Sequence, residues 1–362
     1  MKLVIFAGGF GRRLWPISLS RSPKQFEPII GERSTIQLAV DRVMGQYGAE
    51  NIFISTNERY ADIIRDQLPT IPPGNVIGEP TRRDLAAAVG LAMAHLAHLG
   101  HADEPVAILW GDNYMKDEET FRGVMKTAEE IILNKKAEIV FMGESPRFAN
   151  ANLGWIQLGE QRGELAGRPY YNFGSLTYRP PLDQCKEMYA SGSCVWNTGY
   201  FVTSIGYVQS AYQKYMPEMW GQLSEITNAL GTDAYQGKLD GIYPTLEKLS
   251  FDDAILTHLD SNDACVLHAP MGWSDPGTLY ALKEAIDPSP DANVTRGLVI
   301  DAGSKDSLIY NYEDKKLVMG VGLEGMIVVN TPDAILVVHK DDIRQVKQIV
   351  EDFAGTDLES YS

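Results

Sequence analysis

A chain of 362 residues is longer than one small core needs, and a formal charge of −16 argues against a general nucleic-acid or anionic-membrane surface, since both demand basic patches. With 44% hydrophobic and 22% charged residues the composition is that of an ordinary water-soluble protein. No apolar run approaches the ~20 residues of a membrane span, and the first residues read as a strand and not as a leader, so the expectation is a cytoplasmic protein with no membrane partner. Its 3 cysteines, Cys185, Cys194 and Cys265, are odd in number and lack CxxC spacing, which argues against a disulfide framework or a zinc site and fits a reducing compartment.

Lys2–Ala7 (KLVIFA) reads as a first buried strand. A loop rich in glycine and arginine, Gly8–Phe26, follows it. Ser34 with Gln37 three residues on is a capping box, opening a helix to about Met44 with Ile36, Ala39, Val40 and Val43 as its apolar stripe. Asn51–Thr56 is a second strand, Glu58–Leu68 a helix and Asn75–Gly78 a third strand. Alanine-rich Arg83–Leu99 reads as a buried helix; the histidines at 95, 98 and 101 drift around its axis and form no i, i+4 metal pair. Pro105–Trp110 is a fourth strand, Glu118–Leu133 a helix and Glu138–Met142 a fifth strand. This alternation predicts an α/β fold with a mainly parallel sheet and helices on both faces. Ligands in such sheets bind beyond the carboxyl ends of the strands, where the Gly8 loop and Gly111-Asp112 both stand.

After Gly143 the alternation weakens. Gly154–Leu158, Tyr170–Tyr178 and Trp196–Val202 read as strands, the first two antiparallel, and Ser204–Leu259 is mostly helical. Ala264–His268 is a strand ending at GWSDPGT, and Thr278–Ile286 is a helix. The Pro/Asp-rich link Asp287–Ala292 predicts a boundary, with one domain over 1–290 and a second over 291–362. In the second, Leu298–Asp301, Ser307–Tyr310, Leu317–Gly322, Met326–Asn330 and Ala334–His339 are short apolar strands of a small β module. A helix, Asp341–Phe353, follows, then an acidic polar tail expected to be disordered.

Chemistry concentrates in the loop GGFGRRLWPISLSRSPKQF. Gly8, Gly9 and Gly11 let backbone N–H groups approach an anion, and Arg12, Arg13 and Lys24 add positive charge to an otherwise acidic chain. A Walker A loop would need a terminal Gly-Lys-Ser/Thr, and the dinucleotide fingerprint a glycine at Leu14; neither is present, which disfavours a dinucleotide-dependent oxidoreductase. The longer pattern Gly-Gly-x-Gly-x-Arg-Leu-x-Pro with Pro23-Lys24-Gln25-Phe26 resembles the signature of the sugar-phosphate nucleotidyltransferases. Leu-Trp-Pro and Pro-Lys-Gln-Phe resemble their mannose-1-phosphate guanylyltransferase branch, and NVTRGLVIDAGSKDSLIYN with VVNTPDAILVVHK resembles its C-terminal section.

The resemblance runs nearly end to end. It implies a Rossmann-like, GT-A-like nucleotidyltransferase fold, and NTP plus sugar 1-phosphate giving NDP-sugar and pyrophosphate. The sequence stops before the isomerase domain of bifunctional members, so the transferase alone is expected. GTP and mannose 1-phosphate are the implied substrates and Mg²⁺ the implied cofactor, because two anions must be brought together. Arg13 matches the family's catalytic arginine and Lys24 its Pro-Lys lysine. Asp112, in Trp-Gly-Asp, and Asp275, in Gly-Trp-Ser-Asp-Pro-Gly, match its metal aspartates. Gly8, Gly9, Gly11, Arg12 and Gly111 belong to the implied nucleotide site, and Glu79-Pro80 with Arg83 resembles the segment along base and ribose. Gly154, in Leu-Gly-Trp-Ile, and Asn197, in Trp-Asn-Thr-Gly, resemble sugar-binding positions.

Two departures bear on recognition. Tyr178-Arg179-Pro180 stands where the family has Glu-Lys-Pro; Arg179 still carries charge to a phosphate, whereas Tyr178 cannot accept from sugar hydroxyls as a carboxylate does. Arg83-Asp84-Leu85-Ala86 replaces Arg-Asn-Thr-Ala. These leave open another sugar 1-phosphate (fucose, heptose or glucose type), another NTP, or a non-catalytic sugar-nucleotide-binding regulator. The β module could form a homodimer contact.

Overall fold

The computed structural model describes residues 1–9, 12–289 and 291–362; the side chain of Arg12 is also outside the description. Contacts divide the chain into two compact units. One comprises Met1–Gly8, Val40–Trp110 and Met115–Trp273; the other comprises Gly9–Ala39, Gly111–Tyr114 and Ser274–Ser362.

The first unit is built on a nine-stranded sheet. Its order is Val76–Glu79, Ile52–Asn57, Lys2–Phe6, Pro105–Trp110, Cys194–Ser204, Ile139–Glu144, Ala264–Ala269, Arg168–Tyr178, Gly154–Leu165. The first four strands are mutually parallel. Cys194–Ser204 then runs antiparallel to both its neighbours, and the last two strands form an antiparallel pair, so the sheet is mixed and mainly parallel as the alternation predicts. Lys2–Phe6 is buried at every position. Val4 and Phe6 enter one apolar cluster while Leu3 and Ile5, also fully buried, point away from it, so both faces of this strand are covered.

The helix Asp84–His98 has eleven buried residues and packs against Ile205–Tyr215 and Pro217–Thr227. Gly90 permits that approach: a Cβ there would lie 2.5 Å from Leu223 Cδ1. A helix at Leu182–Ser191, which no capping signal announces, adds to the predicted elements.

The second unit joins the signature loop to the β module. Val294–Arg296, Leu308–Asn311 and Met326–Asn330 pair in parallel, Ile335–His339 closes that sheet antiparallel, and Val299–Ala302 pairs with Val318–Val321. An amide ladder pins the turns: Asn330 Nδ2 donates to Asn311 Oδ1 at 2.7 Å, and Asn311 Nδ2 donates to the carbonyls of Leu298 and Lys316. Gly297 (φ +75°) has no room for a Cβ, which would sit 2.1 Å from Asn311 O. Leu14 and Ile17 from the loop, with Ile29 just beyond it, share one apolar core with Leu279, Leu308 and Val346.

The tail corrects one expectation. Residues 354–362 are not disordered: they form turns, and the backbone carbonyls of Ser360, Tyr361 and Ser362 accept hydrogen bonds from the loop. Composition indicates little apolar burial there, which is correct, but main-chain hydrogen bonding needs none.

Candidate functional site

The second unit gathers the four charged residues that the sequence scatters. Leu14, 1% exposed, anchors the short turn Arg12–Leu14 and leaves Arg13 exposed beside it. Lys24 lies in the next turn, Lys24–Phe26, with its side chain buried. Its Nζ is 2.8 Å from Asp112 Oδ2 and 3.6 Å from Asp275 Oδ1. The guanidinium of Arg13 rests on the turn after Asp275, where a Cβ on Gly277 would stand 3.1 Å from Nη1. That turn is closed by Gly277 N–H donating to Asp275 O at 2.7 Å.

Burial of the ammonium favours its neutral form, but Asp112 and Asp275 outweigh this and hold the Lys24 pKa above its ordinary value; Arg13 opposes them. Lys24 is therefore charged throughout the neutral range. Arg13 and Lys24 balance the two aspartates, so among the described side chains this cluster brings no net charge to a multiply charged phosphate ligand, and a further cation would supply what is lacking. Asp112 and Asp275 are each partly exposed, offer only hard oxygen donors and converge on one point. Two carboxylates with the remaining positions left to phosphate oxygens and water is the donor set Mg²⁺ favours, so these residues fit a divalent ion. Among the described residues no group of three or more His, Cys, Asp or Glu side chains is placed to hold a metal by itself.

Gly9 and, in the first unit, Gly8 have open space where a Cβ would project, so among the described residues nothing demands glycine there. Gly111 is buried just after its strand. Gly11 lies outside the described residues, and with it the question of where the Arg12 side chain points.

In the first unit Glu79 ends the strand Val76–Glu79, 8% exposed, and accepts a hydrogen bond from Tyr243 Oη at 2.6 Å. Burial pushes its carboxyl up to about 7, against the pull of Tyr243 and Arg82. Pro80 follows, then Arg83, whose Nε is buried without a hydrogen-bond partner among the described residues.

Three of the sugar-site candidates fall on one cross-strand row. Gly154 pairs with Tyr178 on one side and Asn197 on the other. Asn197 Oδ1 accepts from Gly199 N–H at 3.0 Å, which orients its amide. Tyr178 is 69% exposed, and the guanidinium of Arg179 stacks over its ring at 4.9 Å. Arg179 holds a left-handed φ of +48°, unusual for a residue with a side chain, and its N–H donates to Leu153 O.

Sequence reasoning missed Glu144. Only 1% exposed, it ends the strand Ile139–Glu144 and accepts from the backbone N–H groups of Met271, Gly272 and Trp273 at 3.0, 3.2 and 3.2 Å, while Arg147 pairs with it at 3.0 Å. It fixes the segment that runs into Ser274-Asp275. Burial pushes its carboxyl up to about 7 against Arg147 and the three backbone donors. No sequence signal marks it, because its partners are main-chain groups far along the chain.

Comparison with known proteins gives a consistent answer. The Nucleotidyl transferase family pattern matches residues 2–290, and the MannoseP isomerase/GMP-like beta-helix domain matches 297–353. Mannose-1-phosphate guanylyltransferase RfbM of Salmonella typhimurium is 29% identical over 362 residues, covering 99% of this chain and 73% of the relative. Mannose-1-phosphate guanylyltransferase of Klebsiella pneumoniae is 30% identical over 359 residues, covering 96% and 73%. A crystal structure described as mannose-1-phosphate geranyltransferase from Thermus thermophilus superposes with a TM-score of 0.83 at 24% identity, over 97% of this chain and 98% of that one, and shows the same fold. The chain belongs to the nucleotidyl transferase family, in its mannose-1-phosphate guanylyltransferase branch.

Proposed function

We propose that this chain makes GDP-mannose and pyrophosphate from GTP and mannose 1-phosphate. The observation that carries the reading is the convergence of Arg13, Lys24, Asp112 and Asp275 in one unit. A phosphate oxygen of the sugar phosphate attacks the α-phosphorus; the new P–O bond forms as the bond to the β-phosphate oxygen breaks, and pyrophosphate departs in line. The attacking oxygen is already ionised, so the protein needs no covalent nucleophile and no general base. Its task is to bring two anions together and to neutralise charge as it moves to the leaving group.

Arg13 presents a fixed guanidinium to the α-phosphate and the departing pyrophosphate. Lys24, held in place by its carboxylates, neutralises the phosphates beside the attacking oxygen. Asp112 and Asp275 would hold Mg²⁺, which when bound screens the phosphate charge. By the resemblance, Gly8 and Gly9 match phosphate-binding positions, and Glu79 and Arg83 match the positions along base and ribose. Gly154 lets Asn197 lie close, since a Cβ there would stand 3.3 Å from Asn197 Cβ, and Asn197 offers an amide to a hexose hydroxyl.

One observation favours a second reading within the same reaction: the left-handed Arg179 stacked on an exposed Tyr178 suits a sugar phosphate other than mannose 1-phosphate. The deciding experiment is pyrophosphate release with Mg²⁺ over a grid of four nucleoside triphosphates and several sugar 1-phosphates. Release highest with GTP and mannose 1-phosphate supports the first reading. A different best sugar supports the second; no release with any pair leaves either an untested substrate or a binding-only regulator, and nucleotide-binding calorimetry then chooses between them.

We also propose a cytoplasmic enzyme, in keeping with three free cysteines. A homodimer through the β module would cover its exposed apolar strip of Leu298, Ile300, Leu317, Met319 and Val321, and sedimentation equilibrium tests it. No helix among the described residues is long and apolar enough to cross a membrane.

A further inference from the structure

The signature loop is tied down by the far end of the chain. Trp15 Nε1 donates to Tyr361 O at 2.7 Å, Ser20 N–H to Ser362 O at 2.9 Å, and Arg21 Nη1 to Ser360 O at 3.2 Å. Arg21 also pairs with Asp333 Oδ2 at 2.5 Å, and the ring of Trp15 meets Phe353 edge-on at 6.3 Å. Three consecutive carbonyls of one segment thus engage three donors spread across seven residues of another.

Apolar burial does not account for the tail's position. Leu358 and Tyr361 are 49% and 40% exposed, and beyond Phe353, which packs against the core's edge, the tail places no residue in the buried core of its unit. What it contacts is the stretch between Arg13 and Lys24. Arg13 precedes Trp15 by two residues, and Lys24 follows Arg21 by three. Between them, among the described residues, the loop's own backbone bonds include short-range ones: Ile17 and Ser18 to Leu14, and the reciprocal pair of Leu19 and Ser22. Such bonds shape local turns, and the buried side chains of Leu14, Ile17 and Leu19 hold only the inward face of those turns. The tail supplies fixed acceptors from outside the loop, and the Ser22–Glu27 side-chain hydrogen bond then frames the turn that carries Lys24.

The geometry points to residues 353–362 as a strap that holds the Arg13–Lys24 loop in its working conformation, with Trp15, Ser20 and Arg21 as positioning residues that touch no substrate. The inference rests on the reading of this loop as catalytic. Misplacing a reacting group by about 1 Å can cost on the order of 100-fold in rate, so a slackened loop should lower kcat more than it weakens ground-state binding.

The test uses the full chain carrying Trp15→Phe and Arg21→Met together. Phenylalanine keeps a ring against Phe353 but loses the N–H donor; methionine keeps the stem and loses the charge. Amide hydrogen exchange and steady-state pyrophosphate release are read on the same preparation, well below its melting temperature. The expected result is exchange over residues 12–22 faster by about tenfold or more, unchanged exchange in Lys2–Phe6 and Leu308–Asn311, kcat lower by about 10- to 100-fold, and KM within about threefold. Arg21→Lys, which keeps a donor and a charge, should recover most of the loss. Unaltered exchange in the loop overturns the strap. Faster exchange with kcat within twofold of wild type overturns its role in positioning, as does a lower melting temperature at unchanged kcat. If the double variant does not fold, Arg21→Met alone decides by the same two readouts, since that side chain is 57% exposed. A wild type inactive with every substrate pair refutes the catalytic reading, and the exchange readout then decides the strap by itself.

Discussion

Replacing Lys24 by methionine separates a catalytic cation from a structural one. The substitution keeps the length of the stem and leaves Asp112 and Asp275 facing each other without their shared ammonium. At an effective dielectric of about 20, the separations of 2.8 and 3.6 Å correspond to gross attractions of about 6 and about 5 kcal/mol. Neither survives as net stability. Desolvating an ammonium that is 6% exposed costs several kcal/mol, and the carboxylates at 29% and 39% exposure are screened by water. The expected loss of folding stability is therefore about 1–3 kcal/mol, too little to unfold the chain at 25 °C. Catalysis should suffer more. Removing one preorganised group aimed at developing charge typically costs about 100- to 1,000-fold in kcat. The assay is pyrophosphate release at saturating substrates, with urea denaturation on the same sample. The raised Lys24 pKa keeps the ammonium from about pH 6 to 9, so this loss should be flat across that range; whatever stability it adds is lost only as pH climbs through its raised value. Lys24→Arg should recover little, because a planar fork does not fit a slot shaped for a compact ammonium. A methionine variant that keeps more than about a fifth of wild-type kcat, with stability reduced as expected, would make Lys24 a structural bridge and remove it from the mechanism.

Three further outcomes are expected. EDTA should abolish pyrophosphate release and Mg²⁺ restore it, with the circular dichroism spectrum unchanged; turnover that persists in chelator would count against Asp112 and Asp275 as metal ligands. Glu79 holds its proton up to about pH 7 in the fold but loses it near 4.5 when unfolded, so the folded state binds more protons and stability falls as pH rises between those values. Glu79→Gln keeps an acceptor for Tyr243 and carries no charge, so its stability relative to wild type should improve by up to about 3 kcal/mol from pH 5 to pH 8; a gap independent of pH would refute the buried-carboxyl account. Gly90→Ala should destabilise by about 1–2 kcal/mol, overpacking against Leu223 and Tyr212 outweighing the helix-propensity gain, whereas Gly45→Ala, in the helix Thr35–Tyr47 with open space around it, should stabilise by about 0.5–1 kcal/mol. Urea midpoints that rank the two alanine variants in the opposite order would contradict this packing.

Much of the architecture was legible because each strand of the first unit's sheet carries its own signal. Runs such as LVIFA and PVAILW are apolar throughout, as strands covered on both faces must be, and the helices between them announce themselves by caps or periodicity. The convergence of Lys24, Asp112 and Asp275 was legible for a related reason: each sits in a motif, and two of the three follow strand ends where ligands gather. Glu144 and the tail were not legible, and for one shared cause. Both act through main-chain N–H or C=O groups distant in sequence, and a backbone donor has no residue type by which to recognise it. Strand direction was hidden in the same way. Cys194–Ser204 has the composition of any buried strand, and only its partners make it antiparallel between two parallel neighbours.

Composition misleads at the tail for a reason that also explains where the loop's rigidity resides. A segment poor in apolar residues cannot order itself by burial, so its sequence reads as disorder. It can be ordered by donors that another segment offers, and the signature loop is rich in them. The loop needs this exchange. Its buried apolar residues Leu14, Ile17, Leu19 and Phe26 anchor one face of the loop, Leu14 and Ile17 in the core of the β module, while the glycines and exposed arginine suited to anion binding leave the other face without such anchors. The residues that suit a loop to phosphate chemistry are the ones that leave it poorly fixed by itself. The surrounding module, through Leu308, Val346 and the carbonyls of Ser360, Tyr361 and Ser362, supplies the fixity that catalysis by positioning requires.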